Sequence, residues 1–430
     1  MQNGAAALGL DFGTTNSVAA LGTDGAAPEL VSFAGPHGAG EVFRTALCFW
    51  RDELQGGAVQ VEAGPWAIAE YLAFPHDSRF LQSFKSVAAS ASFEHAPVFA
   101  QRLAFEDLGR LFLERLVAHS SGRLADLPER IVVGRPVEYA GARPDPALAR
   151  ERYDRMFSGF GTELHYVYEP LGAAFSYAAQ LTRPATILVA DFGGGTSDFS
   201  VVRVDPSSAR RCTPLGTAGI GIAGDRFDFR IVDHLVLPRL GKDGTYRSLG
   251  KLLEIPRAYF ADFADWSRLA LMRNRKTLDE LARLQKTATD PGAIGRMIAV
   301  IENELGFPLY EAVGTLKRAL SSEESADFRF SGGGLEIEAA VSRAEFEAWI
   351  APDLARIEET VERALGKAGI AAGDIDRVFL TGGSSLIPAI RRIFTRRFGA
   401  ESIAGGNELT SIAYGLALIG QQDDVAEWAA

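Results

Sequence analysis

At 430 residues the chain exceeds what one hydrophobic core covers, so two domains or lobes are expected. With 47% hydrophobic and 23% charged residues it has an ordinary globular composition. A net charge of −11 argues against general nucleic-acid binding and against attraction to an anionic membrane surface. No basic n-region or apolar h-region opens the chain, and no run of about 18 apolar residues suits a membrane span. Its two cysteines, Cys48 and Cys212, lack metal-like spacing, and none of the six histidines forms an HxH or HxxxH pair. A reducing cytoplasm and two structural thiols are expected.

In chain order, the apolar strand Ala7–Leu10 leads into Asp11, Gly13, Thr14, Thr15 and Asn16, and a second β-rich run, Val18–Leu21, follows. This reads as a hairpin tipped by an aspartate, a glycine and hydroxyls. Residues 38–120 read as an insertion of strands ending in a helix near Phe105–Val117. Glu169–Ala179 is a helix rich in Ala, Gly and Ser. The hairpin device then recurs: strand Ile187–Ala190, tip Asp191, Gly193, Gly194, Gly195, Thr196, and strand Phe199–Val204. Glycine lets backbone amides approach phosphate oxygens, and consecutive amides in such turns form an anion nest. Two such tips facing each other would clamp a nucleoside triphosphate, with each strand-end aspartate near a divalent cation.

Residues 225–316 read as largely helical, with stripes at Leu278, Leu281, Leu284 and at Met297, Ile298, Ile301, and a break between Asn303 and Pro308. Leu354, Ile357, Val361 and Leu365 mark another helix, with Gly366 and Gly369 as stop signals. Val378–Leu380 reads as a buried strand, Thr381–Ser385 as a diglycine turn suited to a nucleoside, and Pro388 as a helix start. Arg391, Arg392, Arg396 and Arg397 then read as a solvated helix face. Thr410–Leu418 is a second small-residue helix, expected to cross Glu169–Ala179, and Asp423–Ala430 is expected to fray.

The segments LGLDFGTTNS, VVGRPV, EPLGAAFSYA, VADFGGGTSDFS, AGDRFDF, LKRALSS, VFLTGGSSLIPAI and SIAYGLAL resemble, in order, the nucleotide-binding domain of Hsp70 chaperones. They are most similar to short YegD-type members, from residue 8 to about 420. The resemblance implies an α/β actin-like ATPase fold. Its two lobes each carry a ribonuclease-H-like mixed sheet flanked by helices, with a nucleotide cleft between them. The implied divisions are lobe I at 1–184 with an insertion at 38–120, lobe II at 185–404 with an enlarged helical insertion at 225–316, and a returning C-terminal helix at 405–430. It also implies binding of ATP or ADP with Mg²⁺, and K⁺ as a further ion. Gly13, Thr14, Thr15, Asn16, Gly193, Gly194, Gly195 and Thr196 would face the phosphates. Asp11 and Asp191 would organise Mg²⁺ through its waters. Lys85 would orient the attacking water, Glu169 and Asp198 would position water or accept a proton, and Pro136 would be a switch between lobes. Gly224, Lys317, Arg318, Ser321, Gly382, Gly383 and Ser384 would form the nucleotide site's remaining contacts.

Two positions depart from the family: Leu386 where an adenine-stacking Arg is usual, and Gly314 where a ribose-binding Glu is usual. The chain stops where Hsp70s continue into a linker and a peptide-binding domain, so client and co-chaperone binding does not carry over directly. Gly219-Ile220-Gly221-Ile222-Ala223-Gly224 spells GxGxxG, but Pro214 and Gly216 precede it where a βαβ strand would be needed. Asp191-Phe192-Gly193 lacks the rest of a protein-kinase signature, and no P-loop is present. The expectation is slow Mg-ATP hydrolysis used as a conformational switch. A sugar or metabolite kinase of the same superfamily, or a catalytically inactive nucleotide-gated module, are the alternatives.

Overall fold

A computed structural model describes residues 7–429, apart from 24–25, 54–55, 76, 142, 161–162, 209–211, 265–268, 270–271 and 407–408. Two compact units emerge: residues 1–224 with 355–430, and residues 225–354.

In the first unit, β1 (Ala7–Phe12) pairs antiparallel with β2 (Asn16–Gly22), which is followed by β3 (Glu29–Leu30) and β4 (Phe43–Arg44). The insertion holds a small sheet of β5 (Ala46–Asp52), β6 (Ala58–Ala63) and β7 (Ser78–Gln82), with α1 (Gly64–Ala73) against it. The short hairpin β8 (Ala96–Val98) and β9 (Gln101–Leu103) leads into α2 (Phe105–Ala118), where the apolar stripe placed a helix. Next come β10 (Arg130–Arg135), α3 (Pro146–Phe157), β11 (Glu163–Tyr168) and α4 (Glu169–Ala178). The first sheet runs β11-β10-β1-β2-β3, with β10 parallel to β1. Phe12 ends β1 in a ring cluster with Phe84, Phe112 and Tyr153, at centroid distances of 5.9, 5.6 and 6.1 Å.

The second hairpin is β12 (Ala185–Phe192) with β13 (Ser197–Val204), extended by β14 (Cys212–Ile220). Every residue of β12 is buried, as its unbroken apolar run Ile187–Ala190 requires of a central strand. β14 is antiparallel to β13, so the GxGxxG run that ends it lies in no βαβ unit.

The second unit opens with α5 (Gly224–Ile231), whose Gly224 closes the first. β15 (Thr245–Ser248) and β16 (Lys251–Glu254) form a hairpin whose turn residues Leu249 and Gly250 have φ of +47° and +77°. The segment 225–316 is otherwise largely helical, and this hairpin is the one β element that interrupts it among the described residues. Its turn uses a leucine where sequence reasoning looks for Asn or Asp. Then follow α6 (Arg275–Thr287), α7 (Pro291–Glu302) and α8 (Gly306–Ser322), which bury Leu281, Leu284, Met297 and Ile301. The break falls at 303–305, while Pro308 sits in the first turn of α8, where a missing N–H costs nothing. The hairpin of β17 (Ser325–Gly332) and β18 (Leu335–Ser342) follows. Asp353, 2% exposed, is bound there by Arg230 Nε at 2.6 Å and Arg226 Nε at 3.4 Å.

The helix α9 (Arg343–Ala368) passes through Pro352, and its residues from 355 onward belong to the first unit. β19 (Arg377–Thr381), α10 (Pro388–Phe398), β20 (Ile403–Gly405) and α11 (Ser411–Gly420) complete that unit. Its second sheet runs β20-β19-β12-β13-β14. That order repeats β11-β10-β1-β2-β3: hairpin, third antiparallel strand, and two parallel strands on the other side. Duplication of the sheet therefore accompanies duplication of the hairpin.

The two small-residue helices cross in contact. A Cβ added to Gly415 of α11 would lie 1.7 Å from the Gly172 carbonyl of α4. A Cβ at Gly9 of β1 would lie 2.3 Å from Ala413 O, so α11 lies directly on the first sheet. On α10, Arg396 pairs with Glu358 and Arg397 with Glu362, which anchors two of the four arginines to α9. The end of the chain does not fray as expected. Val425 and Trp428 are 2% and 4% exposed, and Trp428 packs edge-on against Phe175 at 4.9 Å. Among the described residues no helix is long and apolar enough to cross a membrane.

Candidate functional site

Each hairpin places its aspartate at the penultimate residue of the first strand, Asp11 in β1 and Asp191 in β12. Both tips, Gly13–Asn16 and Gly193–Thr196, are half-buried and are followed by fully buried strand residues. In the first tip a Cβ at Gly13 would lie 2.2 Å from Asn16 O, so only glycine closes this turn. Thr45 secures it from outside: its hydroxyl donates to Gly13 O at 2.8 Å and its amide to Thr15 O at 2.9 Å. The second tip closes through Gly193 N to Thr196 O at 3.0 Å, and Gly224 N reaches Gly193 O at 3.3 Å. The tips adjoin, since a Cβ at Gly195 would lie 3.3 Å from Thr14 Oγ1.

Behind the tips lies a buried charge cluster. Lys85 Nζ donates to Glu169 Oε1 at 2.6 Å, and both residues are 6% exposed. Asp191 and Asp198 are 3% and 0% exposed, and Asp11 is half-buried. Burial, then the charge of Glu169, pushes Asp11 up to about 7 against the pull of Lys85. Asp198 also rises to about 7, through burial and Glu169, although the Thr196 hydroxyl and two amides oppose the shift. Burial first, then Glu169, Asp11 and Asp198, holds Asp191 well above the carboxylate range. Burial pulls Lys85 down, but Glu169 and Asp11 outweigh it and raise the ammonium above its ordinary value. The mutual electrostatics place Asp11, Lys85, Glu169, Asp191 and Asp198 in one site.

Four carboxylates around one ammonium leave negative charge that a cation would relieve. The donors are all oxygen, as a hard ion such as Mg²⁺ prefers. Asp198 Oδ1 accepts from Val137 N at 2.8 Å and Glu138 N at 3.4 Å. Its Oδ2 has no hydrogen-bond partner among the described residues. Among the described residues no group of three or more His, Cys, Asp or Glu is gathered closely enough to hold a metal ion by itself.

The expected nucleoside residues divide between the units. In the first, Gly382 has φ +80°, and a Cβ there would lie 2.2 Å from Phe192 O, so the diglycine turn presses onto the end of β12. Ser384 is buried beside it, and Leu386 is 56% exposed. In the second, Lys317 pairs with Asp228 at 2.8 Å, Arg318 donates to Thr315 Oγ1 at 3.1 Å, and Ser321 donates to Lys317 O at 3.0 Å. A Cβ at Gly314 would lie 3.3 Å from Arg318 Nη1.

Sequence reasoning missed Thr45, the amides of Val137 and Glu138, and the purpose of Gly219. A Cβ at Gly219 would lie 2.5 Å from Asp198 Oδ1, so this glycine makes room for a carboxylate and serves no dinucleotide.

Paired sheets of one order, each presenting an acid-tipped hairpin beside a shared charge cluster, define the actin-like ATPase fold. The family profile described as Hsp70 protein matches residues 303–424. The chain is 25% identical, over 433 aligned positions, to the chaperone protein DnaK of Deinococcus radiodurans. The alignment covers 96% of this chain and 59% of that protein, so the chain spans about three-fifths of the relative's length. Both matches support a relationship to the Hsp70 family.

Proposed function

We propose that this chain binds Mg-ATP at the paired hairpin tips and hydrolyses it slowly, as an Hsp70-like conformational switch. The observation that carries this reading is the buried Lys85–Glu169 pair, 2.6 Å apart, beside Asp11, Asp191 and Asp198 and behind two adjoining glycine turns. The amides and hydroxyls of Gly13–Asn16 and Gly193–Thr196 bind the phosphate chain. Asp11 and Asp191 would hold Mg²⁺ through its waters, and the ion would supply neutralisation of phosphate charge. Lys85, oriented by Glu169, faces the γ-phosphate and the attacking water. Asp198, held by two amides with one oxygen free, takes the water's proton. Catalysis then rests on positioning and charge stabilisation. Within the first unit, Gly224 and Gly382–Ser384 complete the nucleoside side. The working divisions are lobes at 1–184 and 185–404, with a returning helix at 405–430. Client proteins or co-chaperones, a cytoplasmic setting, K⁺ as a further ion and the YegD-type subgroup belong to the same proposal.

Calorimetry with ATP and ADP in Mg²⁺, followed by a turnover assay, tests it. Asp191→Ala and Thr196→Val should each leave a folded protein with ATP affinity or turnover lowered by about tenfold or more, the scale of one lost charge-stabilising contact. Unchanged activity in both variants would remove the tips from the mechanism. Exposed Leu386 and the glycine at 314 favour one second reading, an inactive nucleotide-gated module, which binding without turnover would support. Stimulation of ADP formation by a sugar would instead favour a kinase.

A further inference from the structure

The backbone that carries Lys85 has no sheet or long helix to hold it. After Ser83, at φ +54°, a single 3-10 turn spans Phe84–Val87, and two further turns follow. Those turns close through Ala88 N to Lys85 O at 3.0 Å, Ser90 N to Val87 O at 3.0 Å, and Phe93 N to Ser90 O at 3.2 Å. One side chain gathers the segment. Arg152, on α3 and 8% exposed, donates from Nη1 to Val87 O at 2.9 Å, Ala88 O at 2.8 Å and Ser90 O at 3.1 Å. Its Nη2 donates to Phe93 O, and the guanidinium carbon lies 5.9 Å from the Phe93 ring centroid. Asp145, which caps α3 through Ala147 N and Leu148 N, donates its own amide to Ala89 O at 2.8 Å.

Burying a guanidinium among carbonyls is costly, and apolar packing of similar volume often stabilises as well. An arginine here therefore supplies geometry that packing cannot: a planar fork of fixed donors, which a lysine lacks. We propose that Arg152 is the positioning residue of the reacting site, fixing by its four carbonyl contacts the turn from which Lys85 reaches Glu169. This rests on the reading of Lys85 as the residue that faces the γ-phosphate.

The test uses the full chain with Arg152→Lys, Arg152→Met, Lys85→Ala and the double variant Lys85→Ala/Arg152→Met. Amide hydrogen exchange without nucleotide is followed in residues 84–93 and in the 185–204 hairpin. Both Arg152 variants should speed exchange in 84–93 by about tenfold or more while the hairpin is unaffected, a local opening. With ATP, kcat should fall by about 10- to 100-fold with KM changed less, the loss expected when a catalytic group is misplaced by an ångström. The double variant should be no slower than Lys85→Ala alone, because the arginine acts through the lysine. Unchanged exchange in 84–93, full rescue by Arg152→Lys, or an added loss on the Lys85→Ala background would each overturn the assignment. If Arg152→Met does not fold, Arg152→Lys decides by the same readouts. If the wild-type chain turns over no ATP, the proposed function falls, while the exchange arm alone still upholds or sinks the positioning of the 84–93 turn.

Discussion

Asp198 shows what the site asks of single residues. Its carboxylate is fully buried, receives two backbone amides on one oxygen, and is still raised to about 7, because burial and Glu169 outweigh those donors. A carboxyl whose folded value lies above its unfolded value of about 3.9 binds more protons in the native state. Its contribution to stability is full below about pH 4 and is lost as pH rises through about 7; Asp11 and Asp191 act in the same direction. Asp198→Asn keeps an oxygen for the amides and removes the charge. Melted without Mg²⁺ at pH 8, that variant should gain about 1–2 kcal/mol, less than the full shift because neighbouring acids titrate together. The gain should vanish at pH 4, and a lower melting temperature at pH 8 would refute the account. Asp11, Asp191 and Asp198 stand in contiguous motifs of the sequence, whereas Lys85 is singled out only by the family resemblance. Thr45, Gly219 and Arg152 could not be read there, because their partners lie 32, about 21 and about 60 residues away in the chain and meet them only in space.

At the scale of elements, hairpins and buried strands followed directly from the apolar runs and their glycine tips. The helix crossing was also readable, because the small residues around Gly172 and Gly415 let helix backbones pack closely. Gly415→Ala should lower stability by about 1–3 kcal/mol in denaturant unfolding, the cost of overpacking, since its Cβ meets backbone and nothing flexible. Gly366→Ala, in open space within α9, should be neutral or stabilising by up to about 1 kcal/mol. Equal effects of the two substitutions would deny the crossing its role. The start of α9 escaped sequence reasoning: the apolar stripe begins at Leu354, yet the helix runs from Arg343 through Pro352. Two arginine bonds to Asp353 and the stacking of Trp349 on His234 at 4.7 Å hold the chain on both sides of that proline. Tertiary contacts thus override a local signal.

Across the whole molecule, the repeated strand order states the duplication more completely than the motifs did, and the match to the broad fold follows from it. What composition hid is the closing of the first unit by its own last residues. Its first sheet begins at Ala7, yet α11, which covers Gly9, is not reached until Ser411. Arg130 Nη1 then donates to Gly420 O at 2.7 Å and Gln422 O at 2.9 Å, and Gln421 reaches Ala26 O at 3.0 Å. Contacts between such distant residues form late, because loop closure precedes their reward. Trp428 is the final apolar anchor of this return, edge-on to Phe175 of α4, the helix that also carries Glu169. An acidic stretch ending in one tryptophan reads as frayed because its apolar partner lies some 250 residues earlier. Trp428→Ala should therefore cost about 3 kcal/mol, as deletion of a buried aromatic does, and should act mainly on the unfolding rate. An unchanged unfolding rate in denaturant jumps would mean that the return of the chain is complete at Gly420 and that the tryptophan only decorates it.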